Sequence, residues 1–551
     1  MPIIDVSYQD LCRLAGRRIP LHRLREWEIL LAKGEVESVA GDTLKIDIKD
    51  TNRPDLWSAE GIAREIRGRL RPGMPSYEVG KPSLTVLVDR SVARLRPRTA
   101  CAVVRGLSLT PAGLSQLIQL QEKIAGSFGR GRQSLSVGVY DLSRITPPIH
   151  YTAVAPDGVK FSPLEGRAGL TPREILGSHP KGREYGHLLR GFSQYPAFLD
   201  SRKRVLSLVP IINSNEAGRV TVQSSDLFIE CSGFHDRFLD PALNVLATAL
   251  AERGGRIEAV RVVYPDAKRV TPDLSPKEVE VDAASLNSVS GLSLKPAQLQ
   301  LLLRQAGYEP SARGRRICLR YPAYRQDIMH PRDVAEDLLI SYGYHRIPAI
   351  PPRLPTVGSI HPRELLAEKV SEVMIGLGLQ EVLSYTLTSQ EALFSRSALP
   401  AGQACEIENP QSQPWSVLRT WLLPSLLDFL SKNKHVEYPQ RVFEVGDCCV
   451  PDPKAETRSR TPRKLAVALT DARMHYEEAS SLLAAALRAL GVAFVLRPAH
   501  HSSFLPGRAA EIVVAGVPVG FAGEVHPQVL NSWGLEKPVA GFELDLGFLL
   551  G

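Results

Sequence analysis

Proline and glycine cut this 551-residue chain at three places. Residues 72–84 hold Pro72, Gly73, Pro75, Gly80 and Pro82. A second break carries Pro265 and Pro272, and a third carries Pro348, Pro351, Pro352 and Pro355. Each proline fixes φ and removes a backbone donor, so such clusters interrupt helices and sheet interiors. Such clusters mark candidate domain boundaries. The breaks predict four modules: 1–75, 95–265, 273–350 and 356–551. At ~150 residues per domain the length leads to the same expectation.

Periodicity fills in the modules. In the first, residues 8–16 read as a short helix and residues 44–48 alternate like a half-buried strand. A polar turn, DTNRPDL at 50–56, precedes Ser58, which is placed to cap a helix. Its Asn52, Arg53 and Asp55 read as turn-forming residues. The second module has strand-like runs at 100–104, 135–140, 205–212 and 227–230, with helical runs at 114–124 and 241–253. The third reads helix (283–289), helix (296–306), hairpin around an Arg/Gly turn at 312–316, then a helix from Pro331. That is the order of a winged-helix-like module. The last opens with an amphipathic helix at 364–376 and a strand at 381–387. A helix at 422–432, a strand at 441–446, a helix at 480–490 and strands at 466–469, 511–514 and 519–523 follow. Helices on one face of a largely antiparallel sheet is the expected layering. The fold class is therefore α+β, multidomain.

Several functions are excluded by what is missing. The chain has no GxxxxGK[ST] phosphate loop, no GxGxxG, no HExxH and no GxSxG. Seven cysteines without a CxxC pair fit neither a disulfide framework nor a zinc ribbon, so a reducing cytoplasm is expected. No signal peptide is visible, and no apolar run approaches the ~18 residues that span a bilayer, so no membrane association is expected. The net charge of +8 permits a polyanionic partner without requiring one. His500, His501 and His526 have no third ligand at helpful spacing and read as surface or core histidines.

Motifs in a fixed order carry a resemblance. DTNRPDL at 50–56 with Glu60-Gly-Ile-Ala-Arg-Glu, Val137-Gly-Val-Tyr-Asp141, Pro210-Ile-Ile-Asn-Ser214, Asp327 through Tyr344-His-Arg-Ile-Pro348, Leu418-Arg-Thr with Pro424, Phe443-Glu-Val-Gly446, Pro506-Gly-Arg508 and Gly523-Glu-Val-His-Pro527 resemble phenylalanyl-tRNA synthetase beta subunits. The length is similar to the archaeal/eukaryotic type; the bacterial type looks longer. The resemblance implies an N-terminal module, an editing domain, a winged-helix-like domain and a catalytically silent class II synthetase-like core. It also implies a two-alpha, two-beta tetramer in which alpha binds most of the ATP and phenylalanine, with tRNA as the shared substrate.

Two clusters become candidate sites. Asp333, Glu336 and Asp337 stand at i, i+3 and i+4 on a helix starting at Pro331, and Asp327 lies in the loop before it. Four hard oxygens suit Mg²⁺, and the resemblance implies the same role. The alternative is that these acids favour a helix N-terminus and pair with Arg325, Arg332 or Arg346. The second cluster is implied by the editing resemblance: Asn213, Ser214, Glu230, Ser232 and Gly233. A buried Glu230 could accept a hydrogen bond from a phenol, which phenylalanine lacks. Ser214 and Ser232 could position water or the ester carbonyl, or be turn and strand-end residues bonded to backbone. Arg419 is a lone arginine, expected to be structural or at a subunit interface.

Three basic clusters could track tRNA phosphates: Arg90/Arg94/Arg96/Arg98, Lys181/Arg183/Arg190/Arg202/Lys203/Arg204 and Arg313/Arg315/Arg316/Arg320/Arg325. Two other functions compete with the synthetase reading: a non-enzymatic winged-helix nucleic-acid-binding protein, and a free-standing hydrolase of mischarged tRNA.

Overall fold

The Ser58 hydroxyl accepts a hydrogen bond from the Gly61 amide and starts the helix Ala59–Leu70, as the cap pattern predicts. This helix belongs to a computed structural model describing residues 2–166, 168–313 and 316–549. The chain divides into two units, Met1–Pro351 and Pro352–Gly551.

In the first unit, Thr43–Ile48 is the central strand of a three-stranded antiparallel sheet with Ile3–Ser7 and Gly34–Ala40. A ten-stranded mixed sheet follows. Here the structure corrects the first break. Val79–Val88, much of it inside the expected linker, is an interior strand, parallel to both Arg256–Val263 and Ile149–Val154. Pro82 is tolerated because the register is irregular there: Gly80 faces Glu258 and Leu84 faces Val260, so residues 81–83 bulge past Ala259. The expected strand at 205–212 is two pieces, Val205–Leu208 and Ile212–Asn213, folded back on each other around Pro210.

The strand Leu227–Gly233 lies between Arg98–Arg105 and Leu135–Asp141, antiparallel to both, and is buried along its length. Leu227, Ile229 and Cys231 enter the core with the helix Asp236–Ala251. Phe228 enters a second core with Tyr140, Cys101 and Leu206. Glu230 and Ser232 share the parity of Phe228, so the alternation sends both toward that second core.

The third module keeps the expected order of helix, helix, hairpin and helix. Arg316–Tyr321 lies between Lys277–Asp282 and Glu309–Arg313, and the helices Ala283–Ser290, Pro296–Gln305 and Pro331–Tyr342 share its core. Arg315 lies outside the described residues.

The second unit holds a seven-stranded sheet, antiparallel except for a short parallel edge at Gln380–Glu381. Its helices cover both faces, not one. Leu465, Val467 and Leu469 of the strand Arg463–Thr470 pack with the helices Pro362–Gly376 and Tyr476–Ala489. Ala466 and Ala468 pack with Leu423–Lys432 and Pro527–Trp533. An unbroken apolar run such as 465–469 marks a strand covered on both sides. The expected strand at 381–387 dissolves between Gln380–Glu381 and a separate ribbon of Leu387–Thr388 with Val417–Leu418, leaving Leu383 90% exposed. Among the described residues no helix is long and apolar enough to cross a membrane.

Candidate functional site

Glu230 stands directly opposite Gly138 in the strand pairing. A Cβ on Gly138 would lie 2.6 Å from Glu230 Oε1 and 2.3 Å from the Tyr140 hydroxyl, so only glycine leaves room for the carboxyl there. The Tyr140 hydroxyl donates to Ser207 Oγ (2.8 Å) and approaches Glu230 Oε1 at 3.2 Å. Glu230 Oε2 is buried with no hydrogen-bond partner. Burial pushes the Glu230 carboxyl up to about 7, against the opposing pull of the Tyr140 hydroxyl and the Arg96 guanidinium. A cavity of about 350 Å³ opens beside it, with Ser136, Ser207, Asn213, His179 and Lys181 in its wall. The site offers a hydrogen-bonding carboxyl at the floor of a small pocket and cationic groups at its wall.

The other expected site residues separate. Asn213 lines this cavity and donates from Nδ2 to the Val139 carbonyl (3.2 Å). Ser214 does not line it; its hydroxyl accepts from the Ala217 amide at 3.2 Å and holds a turn. Ser232 is fully buried, and its hydroxyl pairs with Ser136 Oγ at 3.0 Å. Ser136 and Ser207, rather than Ser214 or Ser232, are the serines in the cavity wall. Gly233 is required by packing, since a Cβ there would meet the Ser134 carbonyl at 2.4 Å. These three residues lie in the frame around the pocket.

Arg96 was legible only as part of a basic cluster. It is buried and bonds no carboxylate. Its guanidinium donates to the carbonyls of Ser232 (2.9 Å) and Arg132 (3.1 Å), and burial lowers it to about 10. Arg132 in turn donates to the Ile211 carbonyl (2.8 Å) and to Glu122 (3.0 Å). These two arginines fix the backbone on two sides of the pocket. Gly138 and Tyr140 belong to the motif Val137-Gly-Val-Tyr-Asp141, but their role depends on a strand pairing that sequence alone does not show.

The acidic cluster takes a different form from the expected one. Asp327 and Asp337 come together, but around Arg325. That guanidinium donates to both oxygens of Asp327 (2.8 and 2.6 Å) and to Asp337 Oδ2 (2.8 Å). The Tyr308 hydroxyl also donates to Asp337 at 2.6 Å. Burial would raise both carboxyls, but Arg325 and then Arg53 overcome it and hold them below the ordinary carboxylate range. Asp333 turns back on its own helix, accepting from the amides of Met329 and His330 at 2.8 and 2.6 Å. Glu336 pairs with Lys33 Nζ at 2.9 Å, and Lys33 also reaches Asp50 at 2.7 Å. Four carboxylates do not converge, and no group of three potential ligands is placed to hold a metal among the described residues. Arg325, Lys33 and the amides at the helix start are the protein partners of these four carboxylates.

Other expected features prove structural. Arg53 is buried, bonds both oxygens of Asp55 (2.9 and 2.8 Å), pairs with Glu65 at 2.7 Å and lies 3.7 Å from Asp327. In the second unit, Arg419 is buried against Glu444 (2.7 Å) and also donates to the Asp447 carbonyl and Ser384 Oγ. The third basic cluster is paired throughout its described residues, and the first two only in part. Arg98 bonds Asp236, Arg204 bonds Asp200, Arg320 bonds Glu309, and Arg313 and Arg316 face Glu280. Arg190, Arg202 and Lys203 are exposed without a carboxylate partner among the described residues.

Comparison with known proteins places two family models on the chain. Residues 279–344 match the family model described as the tRNA synthetase B5 domain. Residues 347–546 match the phenylalanyl tRNA synthetase beta chain CLM domain. The chain is thus of the aminoacyl-tRNA synthetase class. The phenylalanine–tRNA ligase beta subunit of Thermococcus sibiricus is 45% identical over 555 residues, spanning 99% of this chain and 98% of that protein. The Pyrococcus horikoshii beta subunit is 46% identical over 554 residues, spanning 99% of both. A crystal structure of an N-terminal fragment of the P. horikoshii phenylalanyl-tRNA synthetase beta subunit matches with a TM-score of 0.61 and 48% identity, covering 62% of this chain and 100% of the fragment. The chain belongs to the phenylalanine–tRNA ligase beta-subunit family.

Proposed function

We propose that this chain is the scaffolding and proofreading subunit of a phenylalanine–tRNA ligase. With an alpha partner, in a two-alpha, two-beta tetramer, it supports ATP-dependent attachment of phenylalanine to its tRNA and hydrolyses mischarged Tyr-tRNA. Family membership supports the ligase half. The silence of the class II-like core is supported by Arg419: its donors are engaged by Glu444, Asp447 and Ser384, leaving no free fork to grip phosphates. ATP and phenylalanine therefore bind mainly on alpha. Exposed Leu383 and Tyr385 give that partner apolar surface to cover. Seven unpaired cysteines suit a cytoplasmic, reducing location.

One observation carries the proofreading half: Glu230 Oε2, buried and unpartnered beside a cavity. Tyrosine differs from phenylalanine by a hydroxyl, which an apolar synthetic site discriminates by only ~10². A second pocket with an unmet acceptor binds the phenol and gains nothing from phenylalanine. Asn213 and the Arg96–Arg132 frame hold the acyl group against that acceptor, and hydrolysis rests on positioning of water rather than a protein nucleophile. Any Mg²⁺ requirement belongs, in this reading, with the ATP chemistry, and no step here runs through the 327–337 cluster.

The test is deacylation of preformed Tyr-tRNA by the reconstituted tetramer. A hydrogen bond to a charged group contributes about 1.5–3 kcal/mol, so Glu230→Ala should slow deacylation by about 10–150-fold. Phenylalanine charging should be unchanged. Wild-type deacylation by Glu230→Ala would refute the assignment, and full charging by the chain alone would refute the division of labour.

A further inference from the structure

The sulfurs of Cys405 and Cys449, 44 positions apart in sequence, lie 3.3 Å from each other. Both residues are partly exposed, whereas neighbouring Cys448 is buried. The backbone holds the pair on both sides of one short strand. The Leu418 amide donates to the Cys405 carbonyl (2.9 Å), and the Cys449 amide donates to the Arg419 carbonyl (2.8 Å). Between them runs Val417–Leu418, anchored just beyond by the buried Arg419–Glu444 pair. The contact is therefore set by packed backbone rather than by two mobile side chains. A disulfide needs the sulfurs at about 2.05 Å, which leaves about 1.2 Å to close.

We propose that Cys405 and Cys449 are a site of oxidative modification, closing to an intrachain disulfide when the protein meets a small-molecule disulfide of the oxidised-glutathione type. One protein thiolate attacks a sulfur of the oxidant, forming a mixed disulfide and expelling one small thiolate. The second protein thiolate attacks the protein sulfur of that mixed disulfide and expels the other. Two protein S–H groups and one R–S–S–R become one protein S–S and two R–S–H. The protein loses two electrons and the oxidant gains two. Burial, then the hydrogen bond from Cys449, holds the Cys405 thiol above its ordinary range, so the exchange quickens as pH rises.

The crosslink has a structural consequence. Glu406, next to Cys405, and Gln413–Trp415 line a cavity of about 1000 Å³ in the second unit. Oxidation ties the base of that wall to the end of the strand Gln440–Asp447. A partner or ligand that needs the wall to move would then bind the reduced chain better.

Reduced full-length chain is incubated with oxidised glutathione at about pH 8, alkylated and digested with trypsin without reduction. Cleavage after Arg396, Arg419, Arg441 and Lys454 releases peptides 397–419 and 442–454. The expected product is these two joined, about 2 Da lighter than their sum, from monomeric protein. Cys448→Ser should give the same bridge. Cys449→Ser should instead carry glutathione on Cys405, and Cys405→Ser should carry it on Cys449, so two variants test the pairing from both ends. The proposal is overturned if both wild-type peptides are recovered separately alkylated, if Cys449→Ser still forms the bridge through Cys448, or if the bridge joins two chains.

Discussion

Replacing Glu230 by glutamine should make the ten-stranded sheet more stable at high pH, relative to wild type, than at low pH. Burial raises this carboxyl from an ordinary 4.5 to about 7. Between those values the native state keeps a proton that the unfolded chain has released. Stability therefore falls as pH rises through this window, at about 1.36 kcal/mol per pH unit. The full benefit of the protonated form is present below 4.5 and lost above 7. From pH 5 to pH 8 the wild-type chain should lose about 2.5 kcal/mol that Glu230→Gln does not. The glutamine amide adds its own constant cost, since Oε2 already has no partner, so the difference between the two pH values is the informative quantity. Native-state hydrogen exchange in Leu227–Gly233, corrected for intrinsic rates, reads it within the full chain. If the variant and wild type differ equally at both pH values, Glu230 is not a buried, high-pKa carboxyl, and the phenol-reading role loses its basis.

Other outcomes follow from the same contacts. Gly138→Ala puts a methyl 2.3 Å from the Tyr140 hydroxyl and should cut Tyr-tRNA deacylation at least about tenfold, at about 1–3 kcal/mol of local stability, with phenylalanine charging intact. Retained deacylation would show that the carboxyl and its pocket are not in use. Arg325→Leu strips the shared cation from buried Asp327 and Asp337 and should cost about 3–5 kcal/mol, seen as a lowered Tm of the first unit. An unchanged Tm would mean another cation holds the two carboxylates. Titrating Mg²⁺ into the isolated wild-type chain should neither release heat nor raise Tm, because Arg325 and Lys33 already balance the acidic cluster. Saturable heat abolished by Asp327→Asn would reverse that reading.

Distance along the chain separates the features legible in the sequence from those that are not. Where a feature depends on neighbours in the chain, the sequence alone was sufficient. Ser58 caps its helix because the donor, Gly61, is three residues away. The strand-like apolar run at 466–469 and the helix–helix–hairpin–helix order of the third module are visible as patterns. The motifs in their order specified the family before any coordinate did. The helices on both faces of the last sheet were written in that same apolar run, yet were read as covering one face.

What only the tertiary structure decided is partnership. Asp333, Glu336 and Asp337 do stand at the predicted helical spacing. Their charge, however, is settled by Arg325 across a loop, by Lys33 some 303 positions away and by their own helix amides. Spacing along a helix fixes which side chains share a face, not which cation arrives to meet them. Glu230 likewise owes its unmet oxygen to Gly138 on a different strand, and Pro82 its place in a sheet interior to a bulge against Ala259. Local pattern sets the elements and their faces. Burial and long-range packing choose each polar group's partner, and at Glu230 they leave one without any.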